Sequence, residues 1–151
     1  MAVAGWHPGE QSIHRKLGLE EAVSQSYTWI DGDLPEQFRV FFTTRLPFIP
    51  ITTLDSEGRP WTSIAAGATG ELGFATSPHY SKLLMNILLT PGDPLEQNVK
   101  LYGKGKEKML IAGIGIEFST RRRNKFAGFV TGMLKDGQRL GIELEVNQAI
   151  G

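Results

Sequence analysis

Apolar positions along the chain change their spacing near residue 46 of 151. Upstream they recur at helical intervals. In "GEQSIHRKLG", Ile13 and Leu17 lie four apart on one face, with Ser12 a candidate cap and Gly18 a stop. "LEEAVSQ" suits a second short helical turn. "DLPEQFRVFFTTRL" predicts a longer helix. Asp33 can cap it, Pro35 suits its first turn, Glu36 complements its positive end, and Phe38, Phe41 and Phe42 form an apolar stripe. Beyond Pro47 the spacing becomes that of strands. "FIPITTLDSEGRPWTSIAAGA" reads as a hairpin turning at Gly58, with Pro50 implying an edge strand or a bulge. "GATGELGFATSPHY" is loosened by its glycines, and "SKLLMNILL" is a short buried strand. "TPGDPLEQNV" is a loop opening a short helix, with Asp93 as cap and Pro94 at the first helical position. "EKMLIAGIGIEF", "NKFAGFVTGMLKDG" and "RLGIELEVNQAI" give three further strands, the last two joined by a turn at "KDGQ". Ile142, Leu144 and Val146 alternate with Glu143, Glu145 and Asn147, so one face of the last strand is wet.

Short strands at this spacing predict a mainly β protein: a closed or partly open antiparallel barrel with peripheral helices. Residues 1–46 are expected to form a helical segment packing on a barrel of residues 47–151, within one structural domain.

Composition narrows the function classes. Lys plus Arg equals Asp plus Glu at 16 each, so the global basic field of a nucleic-acid binder is missing and no nucleic-acid partner is expected. Without cysteine there is no disulfide, thiolate metal site or cysteine nucleophile. The longest apolar runs are too short to span a bilayer, and the N-terminus lacks the apolar core of a signal peptide, so a cytoplasmic protein with no membrane partner is expected. His7, His14 and His79 have no metal-site spacing, and no serine stands in a G-x-S-x-G frame. "GKGKEK" has the wrong glycine spacing for a phosphate loop and reads as a solvated loop.

Three stretches could carry chemistry. In "TRRRNK", strand alternation would put Arg121 and Arg123 on one face and Arg122 and Asn124 on the other. Guanidinium groups suit phosphate because their planar donors bind it bidentately; the competing reading is a solvated strand end. In "TPGDPL", Gly92, Asp93 and Pro94 lead into a helix N-terminus whose free N–H groups favour an anion, unless this is simply a capped turn. In "GRPWTS", Trp61 offers an aromatic face and Thr62 and Ser63 hydroxyls, which could line a flat aromatic cofactor or pack and bond locally.

Taken in order, "GWHPGEQSIHRKLG", "LPEQFRVFFTTRLPFIPITTLDSEGRPWTSIAAG", "TPGDPL", "GIGIEFSTRRRNKFAG" and "LEVNQAIG" resemble the pyridoxamine 5'-phosphate oxidase-like, FMN-binding split-barrel proteins. The nearest subgroup has an N-terminal H-x-G-E segment and an R-R-R-N strand, and is sometimes fused to a ferredoxin-reductase-like module. The resemblance implies a six-stranded antiparallel split barrel that forms a homodimer with FMN at the interface. It implies cofactor-binding roles for Trp61, Thr62 and Ser63, for Gly92, Asp93 and Pro94, and for Arg121, Arg123 and Asn124; the catalytic residues stay unassigned, and the histidine spacing gives no metal site. Subgroup members continue past "NQAIG" with an Asn-Cys-Pro stretch, whereas this chain stops at Gly151, as expected of a truncated or short form. The "KLYGKGKEKM" connection is also longer and more basic than in that pattern. The implied activity is that of a flavin-dependent oxidoreductase acting on a small molecule, with an electron donor such as NAD(P)H. The alternative is a non-catalytic module that binds FMN or another phosphate ligand, or serves dimerisation.

Overall fold

Alternation of apolar and polar side chains organises seven antiparallel strands in the computed structural model, which describes residues 5–102 and 108–151. They are β1 (Phe48–Leu54), β2 (Pro60–Ala66), β3 (Ala75–His79), β4 (Lys82–Leu88), β5 (Leu110–Glu117), β6 (Arg122–Asp136) and β7 (Arg139–Ile150). Their order across the sheet is β2-β1-β5-β6-β7-β4-β3, and β2 comes round to approach β4. Three α-helices accompany them among the described residues: α1 (Pro8–Leu17), α2 (Glu36–Thr44) and α3 (Pro94–Tyr102). The chain is therefore mainly β with peripheral helices, as expected, but with seven strands rather than six. The added strand is β3. It is only five residues long, hidden among glycines, and its Pro78 is tolerated because β3 is an edge strand.

Strand parity decides what is buried. Ile49, Ile51 and Thr53 of β1 point inward, as do Ser63 and Ala65 of β2, Ile111 of β5, Phe126 of β6, and Leu140, Ile142, Leu144 and Val146 of β7. Phe38, Phe41 and Phe42 of α2 belong to the same core, with Phe42 edge-on to Phe126 at 5.3 Å. Two glycines of β5 make room for these rings. A Cβ on Gly113 would lie 2.5 Å from Phe126, and one on Gly115 would lie 2.7 Å from Phe41.

Several local expectations are corrected. α1 begins at Pro8, not after Ser12. His7 caps it, taking the Gly9 N–H on Nδ1 while Glu10 takes the His7 N–H, a reciprocal capping box. Gly18 does end α1, in the left-handed conformation. No residue of α1 is buried, and Ile13 and Leu17 are 56% and 64% exposed, so of the N-terminal helices it is α2 that enters the core. Pro35, rather than Asp33, stands at the α2 N-cap and gives no side-chain cap. β1 is not an edge strand. Its pairing with β5 covers only Ile51–Thr53, and Pro50 lies outside that stretch. Arg121 is not on β6. It occupies the β5–β6 turn at φ 61°, so strand alternation does not reach it. Of the expected "GKGKEK" loop, residues 103–107 lie outside the described residues.

Candidate functional site

The outward-facing positions of β2, β1, β5, β6 and β7 share a shallow groove of about 480 Å³. Thr62 and Thr52 stand opposite each other on β2 and β1, their hydroxyl oxygens 2.8 Å apart and exposed. Pro50, Ala112, Ile114 and Ala127 make an apolar floor. Lys125 and Gln148 supply polar groups at the far side, beside Ile150. The parity follows from the core. Since Ile51, Ile111 and Phe126 are buried, their neighbours Thr52, Ala112 and Lys125 must face out. A second hollow of about 330 Å³ continues the groove past Thr52, Ala112, Ala127 and Gln148 to Phe129 and Leu110.

Several cations outside the groove are matched by carboxylates. Lys82 Nζ sits 2.7 Å from Glu143 and 3.1 Å from Glu145, which raise its pKa above the ordinary lysine value. Arg59 bridges Asp55 and Glu57, and Arg39 meets Glu36. Lys125 and Arg123, two apart on the outer face of β6, have no ion-pair partner among the described residues. An apolar floor with hydroxyls on one side and uncompensated cations on the other suits a flat ligand that carries an anionic group.

The residues singled out in the sequence fall into separate places. Thr62 lines the groove. Trp61 does not; it is 46% exposed and donates from Nε1 to Asp55 at 2.9 Å, at the tip of the β1–β2 hairpin. Ser63 is turned inward, and its hydroxyl donates to Asp93. The same Asp93 oxygen accepts the Leu95 N–H at 2.8 Å, capping α3. Gly92 takes φ 82° in the turn before it, and Pro94 opens the helix. This group therefore ties α3 to β2 and takes no part in the groove wall. Arg121 lies in the turn. Arg122 packs away from the groove, donating to the Gln37 carbonyl at 3.1 Å and lying over Phe41 at 4.8 Å. Asn124 is 2% exposed, beside Gly151 and Phe38, and its Nδ2 has no partner among the described residues.

Thr52, Gln148 and Ile30 line the groove without having been singled out, and Lys125 had been read only as the end of the "TRRRNK" run. They sit one to a strand or loop and form no local motif. The available signal was period-two parity: each strand residue flanks a position whose apolar character commits it to the core.

No known protein family matches the sequence, and neither does any curated protein. Solved structures with a similar chain path include HupZ from Group A Streptococcus, at TM-score 0.49 and 11% identity, covering 78% of this chain and 98% of that one. An F420 reductase gives TM-score 0.49 and 11% identity, covering 77% and 98% respectively. A flavin reductase domain protein from Arthrobacter sp. FB24 gives TM-score 0.45 and 10% identity, covering 75% and 82%. At these scores the likeness adds nothing to the fold described above and says nothing of a ligand for this chain. Among the described residues no helix is long and apolar enough to cross a membrane, and no group of side chains could hold a metal ion.

Proposed function

We propose that the outer-face groove is a flavin site and that the chain is an FMN-binding flavoprotein of the split-barrel type, acting as a flavin-dependent oxidoreductase. The observation that carries this reading is the groove itself: an apolar floor, the Thr52–Thr62 hydroxyl pair, and Lys125 without a counter-charge. Its volume lies within the range of roughly 300–1,000 Å³ usual for small-ligand sites. Lys125, with Arg123 on the same face, would hold the phosphate, while Thr52, Thr62 and Gln148 would hydrogen-bond polar edges of the ring or its ribityl chain. Bound FMN supplies the redox chemistry; the protein's part is to bind it, orient it and shield it from water. Among the described residues Lys125 is the one ionisable side chain lining the groove, and its role is to hold the phosphate, so no side chain there is assigned as a proton donor.

The same face suits a second copy of the chain. Ile64 and Leu110, on the outer faces of β2 and β5, are 56% and 53% exposed, and apolar surface of this kind favours burial. In this reading a homodimer covers the groove and completes the site.

Purified protein should be yellow, with flavin absorption, and should run as a dimer. Colourless protein that takes up no added FMN would refute the reading. Protein that binds FMN yet accepts no electrons from NADH or NADPH, even with a reductase present, would instead be the non-catalytic binding module.

A further inference from the structure

One wall of the groove does not come from the barrel. β4 pairs with β7 only as far as Glu145, opposite Lys82, and Ser81 O then takes the Val146 N–H at 2.7 Å. Beyond that point the edge of β7 is covered by a different segment. Asp31 donates its N–H to Ala149 O at 2.8 Å and accepts the Ala149 N–H at 2.9 Å, forming a single antiparallel bridge. This strap takes the place of β4 along the end of β7 and sets Ile30 among the groove residues, with Gln148 and Ile150.

Downstream, the strap is anchored in the core. Leu34, three residues after Asp31, is 0% exposed and donates its N–H to Tyr80 O at 2.7 Å. Upstream, no described side chain from Gly5 to Asp33 is buried, and α1 leaves its apolar stripe in solvent. Ile30 is therefore the point where a largely exposed N-terminal segment meets the groove. The neighbouring Asp31 fixes it to β7 by the two-bond bridge.

We propose that Ile30 is a specificity-determining residue. As the groove's outer wall past β7, it contacts the bound ligand and sets the width of ring system that fits. This rests on the reading of the groove as a flavin site. Ile30 itself takes no part in proton or electron transfer.

Because the chain has no cysteine, Ile30→Cys provides a single thiol whose labelling rate reports contact. Saturating FMN should slow that labelling about tenfold or more and leave a Ser24→Cys control unchanged, since a bound ligand holds the covered state by mass action. Ile30→Trp should weaken FMN binding about tenfold, because an apolar pocket discriminates on added volume. Its unfolding midpoint should match the wild type, as Ile30 lies outside the buried core. FMN that binds without protecting the thiol, or with the same affinity in Ile30→Trp, would overturn the inference and leave the flavin reading standing. If no flavin binds, the flavin reading fails. Labelling in the presence of anilinonaphthalene sulfonate, an anionic aromatic suited to an apolar groove beside Lys125, then decides whether Ile30 is a wall: protection supports it and unchanged labelling overturns it.

Discussion

Thr62 and Ser63 are adjacent on one strand and carry the same functional group, yet they serve opposite sides of the sheet. Ser63 points in, is 4% exposed, and spends its hydroxyl on Asp93. Thr62 points out, and among the described residues its hydroxyl bonds that of Thr52 alone. β1 repeats the contrast: Thr53 is buried and accepts from Asn98 Nδ2 at 2.8 Å, while Thr52 faces the groove. On β1 and β2 the inward hydroxyls of Thr53 and Ser63 find protein partners, since burial without one is costly. Outward ones face the groove. The residue type does not separate inward from outward hydroxyls on these strands; parity does.

The inner face should show the largest effect. Phe41→Ala removes a ring that is 1% exposed and packed against Phe42, and should cost about 3–5 kcal/mol of stability in denaturant unfolding. A loss near zero would mean that α2 is not part of the core. The outer face should respond in binding instead. Lys125→Ala should lose about 1.5–3 kcal/mol of FMN affinity, the worth of a charge-assisted hydrogen bond, in a fluorescence titration. Its stability should stay within about 0.5 kcal/mol of wild type, as for other surface changes. Unchanged affinity would remove the lysine from the site. Asp93→Ala tests the boundary between the two faces. Losing the α3 cap should cost about 1–2 kcal/mol of stability, with FMN affinity unchanged. A folded Asp93→Ala protein that bound FMN poorly would break the division by parity, because Asp93 belongs to the inner group.

Most of the fold was legible because one period runs through it. β7 alternates over "IELEVNQ", and its hairpin with β6 turns at "KDGQ" as expected. What escaped was local chemistry overruling pattern. β3 was masked by Gly70 and Gly73, and Arg121 left the strand because the β5–β6 turn took it at positive φ. His7 displaced Ser12 as a cap because a reciprocal pair with Glu10 satisfies two orphan N–H groups at once. The candidate site was legible only in part for a different reason. "TPGDPL" and "GRPWTS" each looked suited to a ligand, and the structure brings Ser63 and Asp93 of these two stretches together as each other's partners. The groove's Thr52, Lys125, Gln148 and Ile30 come, once Thr62 is included, from five elements that only the folded sheet and its strap place side by side. No window of sequence contains them.

The smallest expected effect concerns acid, and it asks whether an exposed feature near the groove can loosen without disturbing either face. At the tip of the β1–β2 hairpin, Asp55 accepts the Trp61 indole N–H at 2.9 Å, the Arg59 guanidinium at 2.8 Å and the Glu57 N–H at 2.8 Å. The indole donor first, and these others with it, hold its carboxyl well below the usual carboxylate range. A carboxylate whose folded pKa is depressed contributes stability that is fully present above its unfolded value, near 3.9 for Asp. That contribution is lost as pH falls through the lower folded value. Trp61 reports the event directly, since protonation discharges the carboxylate and weakens the acceptor for its N–H. Its fluorescence, isolated by Trp6→Phe and Trp29→Phe, should stay constant from neutral pH down to the ordinary carboxylate range and change only below it. Asp55→Asn should remove that acid step while keeping the hairpin paired through its seven β1–β2 residue partners. A Trp61 signal titrating at the ordinary carboxylate value would show that the hairpin tip is not preorganised. A fall in FMN affinity in Asp55→Asn would show that the tip steers Thr62 and the groove, and that the outer face is less independent of its surroundings than strand parity implies.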